Sequence, residues 1–147
     1  MKTEAVEFVR DSTEDTFKAV QTSVVYDKNG NTISTLKGEK DVYYLNYEEI
    51  PVDVCAAIIS IEDKKFYQHN GIDYKAILRA VKAIIENGEV TQGASTITQQ
   101  LARNIFLTQD KTWQRKVEEM FVATELEKKY SKNKILEFYL NNIYFGN

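Results

Sequence analysis

Cysteine, histidine and proline each occur once among the 147 residues, as Cys55, His69 and Pro51. A lone cysteine excludes an internal disulfide and leaves the redox compartment open. A lone histidine without a cysteine cluster excludes a structural zinc site. The longest uncharged apolar run, Val54 to Ile59, is far shorter than the ~20 residues a membrane-spanning helix needs. No signal peptide is legible at Met1. Positive charge is not in excess: 19 Lys and Arg against 22 Asp and Glu leave a net charge of −3. That balance argues against a generic nucleic-acid binder but permits a local cationic site. What is present is ordinary: 43% hydrophobic and 28% charged residues belong to a folded domain with one proper core.

The chain divides into a small β portion and a run of helices. Residues Thr3 to Val20 read as one or two helical pieces. Thr22–Tyr26 and Thr32–Leu36 are strand candidates around the turn chemistry of Asp27-Lys28-Asn29-Gly30, which predicts a hairpin. Asp41 to Leu45 suggests a further short strand. Pro51 suits the first turn of a helix. Val54 to Ile61 carries no charge on any side and predicts a buried helix running into Glu62-Asp63. Asp73 caps a helix with Ile77, Leu78, Val81, Ile84 and Ile85 on its inner side, ending at Asn87-Gly88. Helices are expected from Ser95 to about Leu107, over Thr112–Tyr130, and over Lys132–Ile143 behind the cap Ser131. The class is mainly α.

Gly93-Ala94-Ser95-Thr96-Ile97-Thr98-Gln99-Gln100-Leu101-Ala102-Arg103-Asn104 is the most informative stretch. Thr96 and Gln99 have capping-box spacing. Ile97, Leu101 and Ile105 share one face; Thr96, Gln99, Gln100 and Arg103 share another. This is an ordinary amphipathic helix, or a helix whose polar stripe and N-terminus meet an anion. The same stretch resembles a DNA-reading helix, but the acidic total and weak turn signal count against that. Glu62 either points to water or, at the end of a buried helix, is desolvated beside the negative helix end, with a raised pKa suited to proton transfer. For Asp63 and His69 a structural role is favoured. Arg115 and Glu119 are an i, i+4 pair, either a helix salt bridge or a second functional carboxylate. Arg103, Lys111, Arg115 and Lys116 form a cationic cluster suited to phosphate, or ordinary surface charge.

Four motifs then carry a resemblance. Glu62-Asp63-Lys64-Lys65-Phe66-Tyr67-Gln68-His69-Asn70-Gly71 resembles the first motif of the peptidoglycan glycosyltransferases, which comprise the transglycosylase domain of class A penicillin-binding proteins and the monofunctional transglycosylases. Gly93–Gln100 resembles the second motif, Arg115-Lys116-Val117-Glu118-Glu119 the third, and Lys134 to Asn141 the fourth. The likeness covers residues 22–147; residues 1–21 read as a helical or linker segment. The resemblance implies a lysozyme-like, mainly helical lobe and a smaller lobe touching the membrane, at the extracytoplasmic face of the bacterial plasma membrane.

It also implies roles. The substrates are lipid II and the growing glycan chain. Glu62 is the general base, and Glu119 stabilises the pyrophosphate or its metal. Asp63, Ser95, Thr96, Gln99, Gln100 and Arg103 belong to the substrate side, and Lys111, Arg115 and Lys116 neutralise phosphate. Moenomycin-type inhibitors bind the donor side. No redox cofactor is needed; some members use a divalent cation such as Mg2+, and the sequence leaves the metal open. Two departures stand out: Ala94 replaces a second glycine, and the family's domain continues beyond Asn147. The alternatives are a lysozyme-like enzyme cleaving the same polymer, which needs no cationic pyrophosphate site, and a non-catalytic helical module.

Overall fold

The computed structural model describes residues 4–18, 23–36, 43–88, 93–107 and 112–143. Among them lie six α-helices and one two-stranded antiparallel sheet: α1 Glu4–Asp11, β1 Ser23–Tyr26, β2 Thr32–Leu36, α2 Val52–Glu62, α3 Tyr74–Asn87, α4 Ile97–Phe106, α5 Trp113–Lys129 and α6 Lys132–Asn142. This is the mainly α, lysozyme-like class with a small hairpin that the sequence led us to expect.

The hairpin pairs Ser23 with Leu36 and Val25 with Ser34, with an irregularity between Val25 and Tyr26. Its turn is built by Asp27, whose Oδ1 accepts from Asn29 N and Asn31 N, both at 2.8 Å, while Gly30 supplies the positive φ of 86°. Of the strand expected over Asp41–Leu45, residues 41 and 42 lie outside the described residues, and the rest is not a strand. Leu45 instead has its N–H and C=O satisfied by one side chain. Asn141 Oδ1 accepts from Leu45 N at 2.9 Å, and Asn141 Nδ2 donates to Leu45 O at 2.8 Å. A primary amide has one donor and one acceptor in the right places to stand in for a neighbouring strand.

The core is assembled from α4, α5 and α6. Ile97, Leu101, Val122, Ala123, Leu126, Ile135, Leu136 and Phe138 are all buried. The segment before the hairpin, read as a helical or linker segment, packs onto this core in its described part. Val9 and Phe17 are fully buried. The Phe17 ring stacks on Phe138 at 3.8 Å between centroids, and Tyr130 meets Phe17 edge-on at 5.5 Å. Lys129 Nζ donates to Val9 O at 3.0 Å and Arg10 O at 2.6 Å, placing a cation on the carbonyl end of α1.

Two expectations about burial are corrected. In α2 only Cys55 is buried; Val52 is 81% and Ile61 76% exposed. Among the described side chains of α3 none is buried, and Leu78 and Ile85, expected on its inner side, are 69% and 78% exposed. Apolar periodicity marks the face of a helix that avoids water; it does not say what covers that face. Tyr74, Leu78, Val81 and Ile85 therefore form one uncovered stripe among the described residues.

Candidate active site

The end of α2 and the start of α4 are tied together by one buried carboxylate. Asp63, 7% exposed, follows α2 directly. Its Oδ2 accepts from Ile97 N at 3.1 Å, in the first turn of α4, where the helix dipole favours an anion. Both its oxygens also meet His69 Nε2, at 3.0 and 2.9 Å. His69 Nδ1 accepts from Gly71 N at 3.2 Å, which places the ring proton on Nε2. Gly71 O in turn accepts from Thr96 Oγ1 at 2.6 Å. These bonds tie Asp63 and His69 to the ends of α2 and α4.

α4 opens with the capping box its sequence spells. Gln99 N donates to Thr96 Oγ1 at 3.1 Å, and Thr96 N to Gln99 Oε1 at 3.1 Å. This divides the polar stripe expected at 96, 99, 100 and 103. Thr96 and Gln99 are buried and their oxygens are engaged by the cap. Gln100 and Arg103 remain half-buried. Thr98 is fully buried and donates to Glu127 Oε1 at 2.6 Å.

Glu62 closes α2 and is exposed. The desolvated setting weighed for it is therefore absent, because α2 itself is not buried. Its partner is Gln100, whose Nε2 donates to Glu62 Oε2 at 2.9 Å. Glu62 lines a cavity of about 490 Å³ together with Asp63, Lys64, Lys65, Asp73, Arg79 and residues 93–96. Ser95 thus stands across the same space. Lys64, Lys65 and Arg79 were missed in the sequence. Lys64 and Lys65 stand inside the first motif, where no role was read for them, and Arg79 stands opposite the apolar stripe of α3.

Behind Ser95 lies the second carboxylate. Glu119 is fully buried in α5. Arg115 Nη1 donates to its Oε2 at 2.7 Å, and Lys116 Nζ contacts its Oε1. Lys116 Nζ also donates to Ser95 Oγ at 2.7 Å. One negative charge against two cations leaves this cluster net positive, and Lys116 carries that charge to the cavity wall. Arg103 Nε and Arg115 Nε are buried N–H groups without a hydrogen-bond partner among the described residues. Lys111 lies outside the described residues.

A third buried acid, Glu137, was not singled out in the sequence. It accepts from Tyr44 Oη at 2.7 Å, Tyr47 N at 3.0 Å and Lys134 Nζ at 3.0 Å. It pins the segment before α2 to α6 and is fully partnered, as a buried charge must be. Tyr44 is pushed far above the ordinary phenol range by burial and by this carboxylate.

A helical domain with one exposed carboxylate on a polar cavity, and a second held by cations just behind the cavity wall, has the parts of a group-transfer enzyme acting on an anionic substrate. Residues 29–147 match the family model described as Transglycosylase, and the chain belongs to that family. It is 50% identical over 125 residues to penicillin-binding protein 1F of Bacillus subtilis (strain 168), covering 84% of this chain and 17% of that protein. It is 48% identical over 110 residues to the monofunctional glycosyltransferase of Staphylococcus aureus (strain JH9), covering 75% of this chain and 40% of that protein. With penicillin-binding protein 1A of Escherichia coli (strain K12) it shares 43% over 122 residues, covering 83% of this chain and 14% of that protein. The chain thus spans less than half the length of each of these relatives.

Proposed function

We propose that this chain is the glycosyl-transferring part of a peptidoglycan glycosyltransferase that polymerises lipid II at the extracytoplasmic face of the bacterial plasma membrane. The observation that carries the reading is the pairing of Glu62, on the cavity, with the Arg115–Glu119–Lys116 cluster that reaches the same cavity through Ser95.

Glu62 takes the proton of the acceptor's sugar hydroxyl. The hydroxyl oxygen attacks the anomeric carbon of the donor, the growing chain. The bond from that carbon to the pyrophosphate oxygen breaks, and the electron pair leaves with undecaprenyl pyrophosphate. Attack from the opposite face converts an α-linked pyrophosphate into a β-glycosidic bond. Negative charge grows on the leaving pyrophosphate, so fixed cations and unpaired N–H groups are needed there before reaction. Lys116, Arg115 and Arg103 supply them. A lysozyme-like hydrolase needs no such cluster. Moenomycin-type phosphoglycolipids, which carry a phosphate, are proposed to occupy the same side.

Mg2+ fits this donor set poorly. Each oxygen of Glu119 already faces a cation, and no cluster of three His, Cys, Asp or Glu side chains suited to a metal exists among the described residues. No step above depends on one. No helix among the described residues is long and apolar enough to cross a membrane. The uncovered stripe of α3, with the exposed Lys75 and Lys82 on the same helix, supports a lobe that lies on an anionic lipid surface.

The test is extension of labelled lipid II by the wild type and by Glu62→Gln. The wild type is expected to produce glycan strands and the variant almost none. Wild-type activity in Glu62→Gln would remove Glu62 as the base. Release of fragments from finished glycan, without strand growth, would favour the hydrolase instead.

A further inference from the structure

Tyr139 lies on α6 and is 1% exposed. Its hydroxyl is 3.1 Å from Gln100 Oε1, and Gln100 Nε2 is 2.9 Å from Glu62 Oε2. The chemistry of the two ends decides the orientation of the middle. An ionised carboxylate only accepts, so Gln100 must turn its NH2 to Glu62 and its carbonyl to Tyr139, and the phenol must donate. Three side chains from α6, α4 and α2 thus form one directed chain from the core to the cavity.

We propose that Tyr139 is a positioning residue for the transfer reaction: through the Gln100 amide it holds the Glu62 carboxylate in the orientation from which it takes the acceptor's proton. This rests on the assignment of Glu62 as the base. It also gives Gln100 a task different from the donor-sugar contact that the second-motif resemblance implies.

Two observations support the chain. Glu62 ends a helix with a single buried residue, so packing within α2 restrains it little. Gln100 supplies the tie to the α4–α6 core. At the other end the phenol stays protonated. Burial, and then the negative charge of Glu62, push Tyr139 up to about 12, against a smaller opposing pull from Arg103. A phenol that keeps its proton at neutral pH keeps donating, and the amide keeps one orientation.

The test is Tyr139→Phe, which removes one buried oxygen and little volume. With lipid II as substrate, kcat is expected to fall about tenfold with KM unchanged, the scale of one hydrogen bond that acts on the reacting group. In a Gln100→Ala background the same substitution should have no further effect, since the link is already cut. Independently of activity, the side-chain amide NMR signals of Gln100 should move in both Tyr139→Phe and Glu62→Gln. Wild-type kcat in Tyr139→Phe, a full tenfold loss persisting in Gln100→Ala, or unmoved Gln100 signals would each overturn the proposal. If the wild-type chain extends no strand from lipid II, the transferase reading fails, and the NMR signals decide the chain of contacts by themselves.

Discussion

Gly71→Ala is the substitution whose cost can be worked most directly from the geometry. Gly71 has φ +88°, and a Cβ there would stand 2.9 Å from Ala123 O, 3.0 Å from Ala123 C and 3.2 Å from Glu127 Cγ. The positive φ costs an alanine roughly 1–2 kcal/mol. The steric term adds roughly 1–3 kcal/mol, because the first two obstacles are backbone atoms of α5 and cannot rotate away. The sum, about 2–5 kcal/mol, is a large part of the 5–15 kcal/mol typical of a domain. Gly88→Ala is the control: φ is +71° but nothing lies within 4 Å of the new Cβ, so only the first cost of about 1–2 kcal/mol applies. Urea unfolding followed by far-UV circular dichroism measures both; Trp113, 87% exposed, is a poor fluorescence reporter. The expected result is a midpoint for Gly71→Ala well below that for Gly88→Ala, with unchanged m-values. Equal midpoints would refute the steric argument.

Arg115→Met leaves Glu119 fully buried with Lys116 alone and should cost about 3 kcal/mol or more. Adding Glu119→Leu should return much of that loss in the same unfolding assay; additive losses would show that the pair is not coupled. Asp73 caps α3 through a 2.9 Å bond from Ala76 N. Its partial burial pushes the carboxyl up, but the Ala76 amide and the nearby Lys65 and Arg79 charges hold it below the ordinary 3.8. A group with a lowered folded pKa stabilises above its unfolded pKa and loses that contribution as pH falls through the folded value. Asp73→Asn keeps a cap without the charge, so wild-type stability should drop relative to the variant below about pH 4. Parallel stability curves would refute this.

Local chemistry was legible in the sequence because it depends on neighbours a few residues apart. The Thr96–Gln99 capping box, the Asp27 turn, the Asp73 and Ser131 caps and the Arg115–Glu119 pair all follow from spacing on a helix or turn. Partners from distant segments were not legible. Nothing near Asn141 announces that its amide will serve Leu45, and nothing near Glu137 announces Tyr44. The uncharged run of α2 was misjudged for the same reason: composition reports aversion to water, while burial depends on what the fold brings alongside. Glu62 inherited that error, and its exposure follows from the helix it ends. Thr96 and Gln99 were legible as a cap, and their side-chain oxygens serve it.

Asp63, His69, Gly71, Thr96 and Ile97 close a ring of hydrogen bonds. The bond from Ile97 to Asp63 spans 34 residues, and closing a loop of that length costs about 3 kcal/mol of chain entropy beyond a constant. Whichever long-range bond forms first bears most of that cost. Thr96 to Gly71, 25 residues apart, then joins ends already held close and adds almost its whole enthalpy. The ring therefore forms or breaks as a unit. Partial opening is disfavoured, so the first and second motifs have no stable half-docked arrangement.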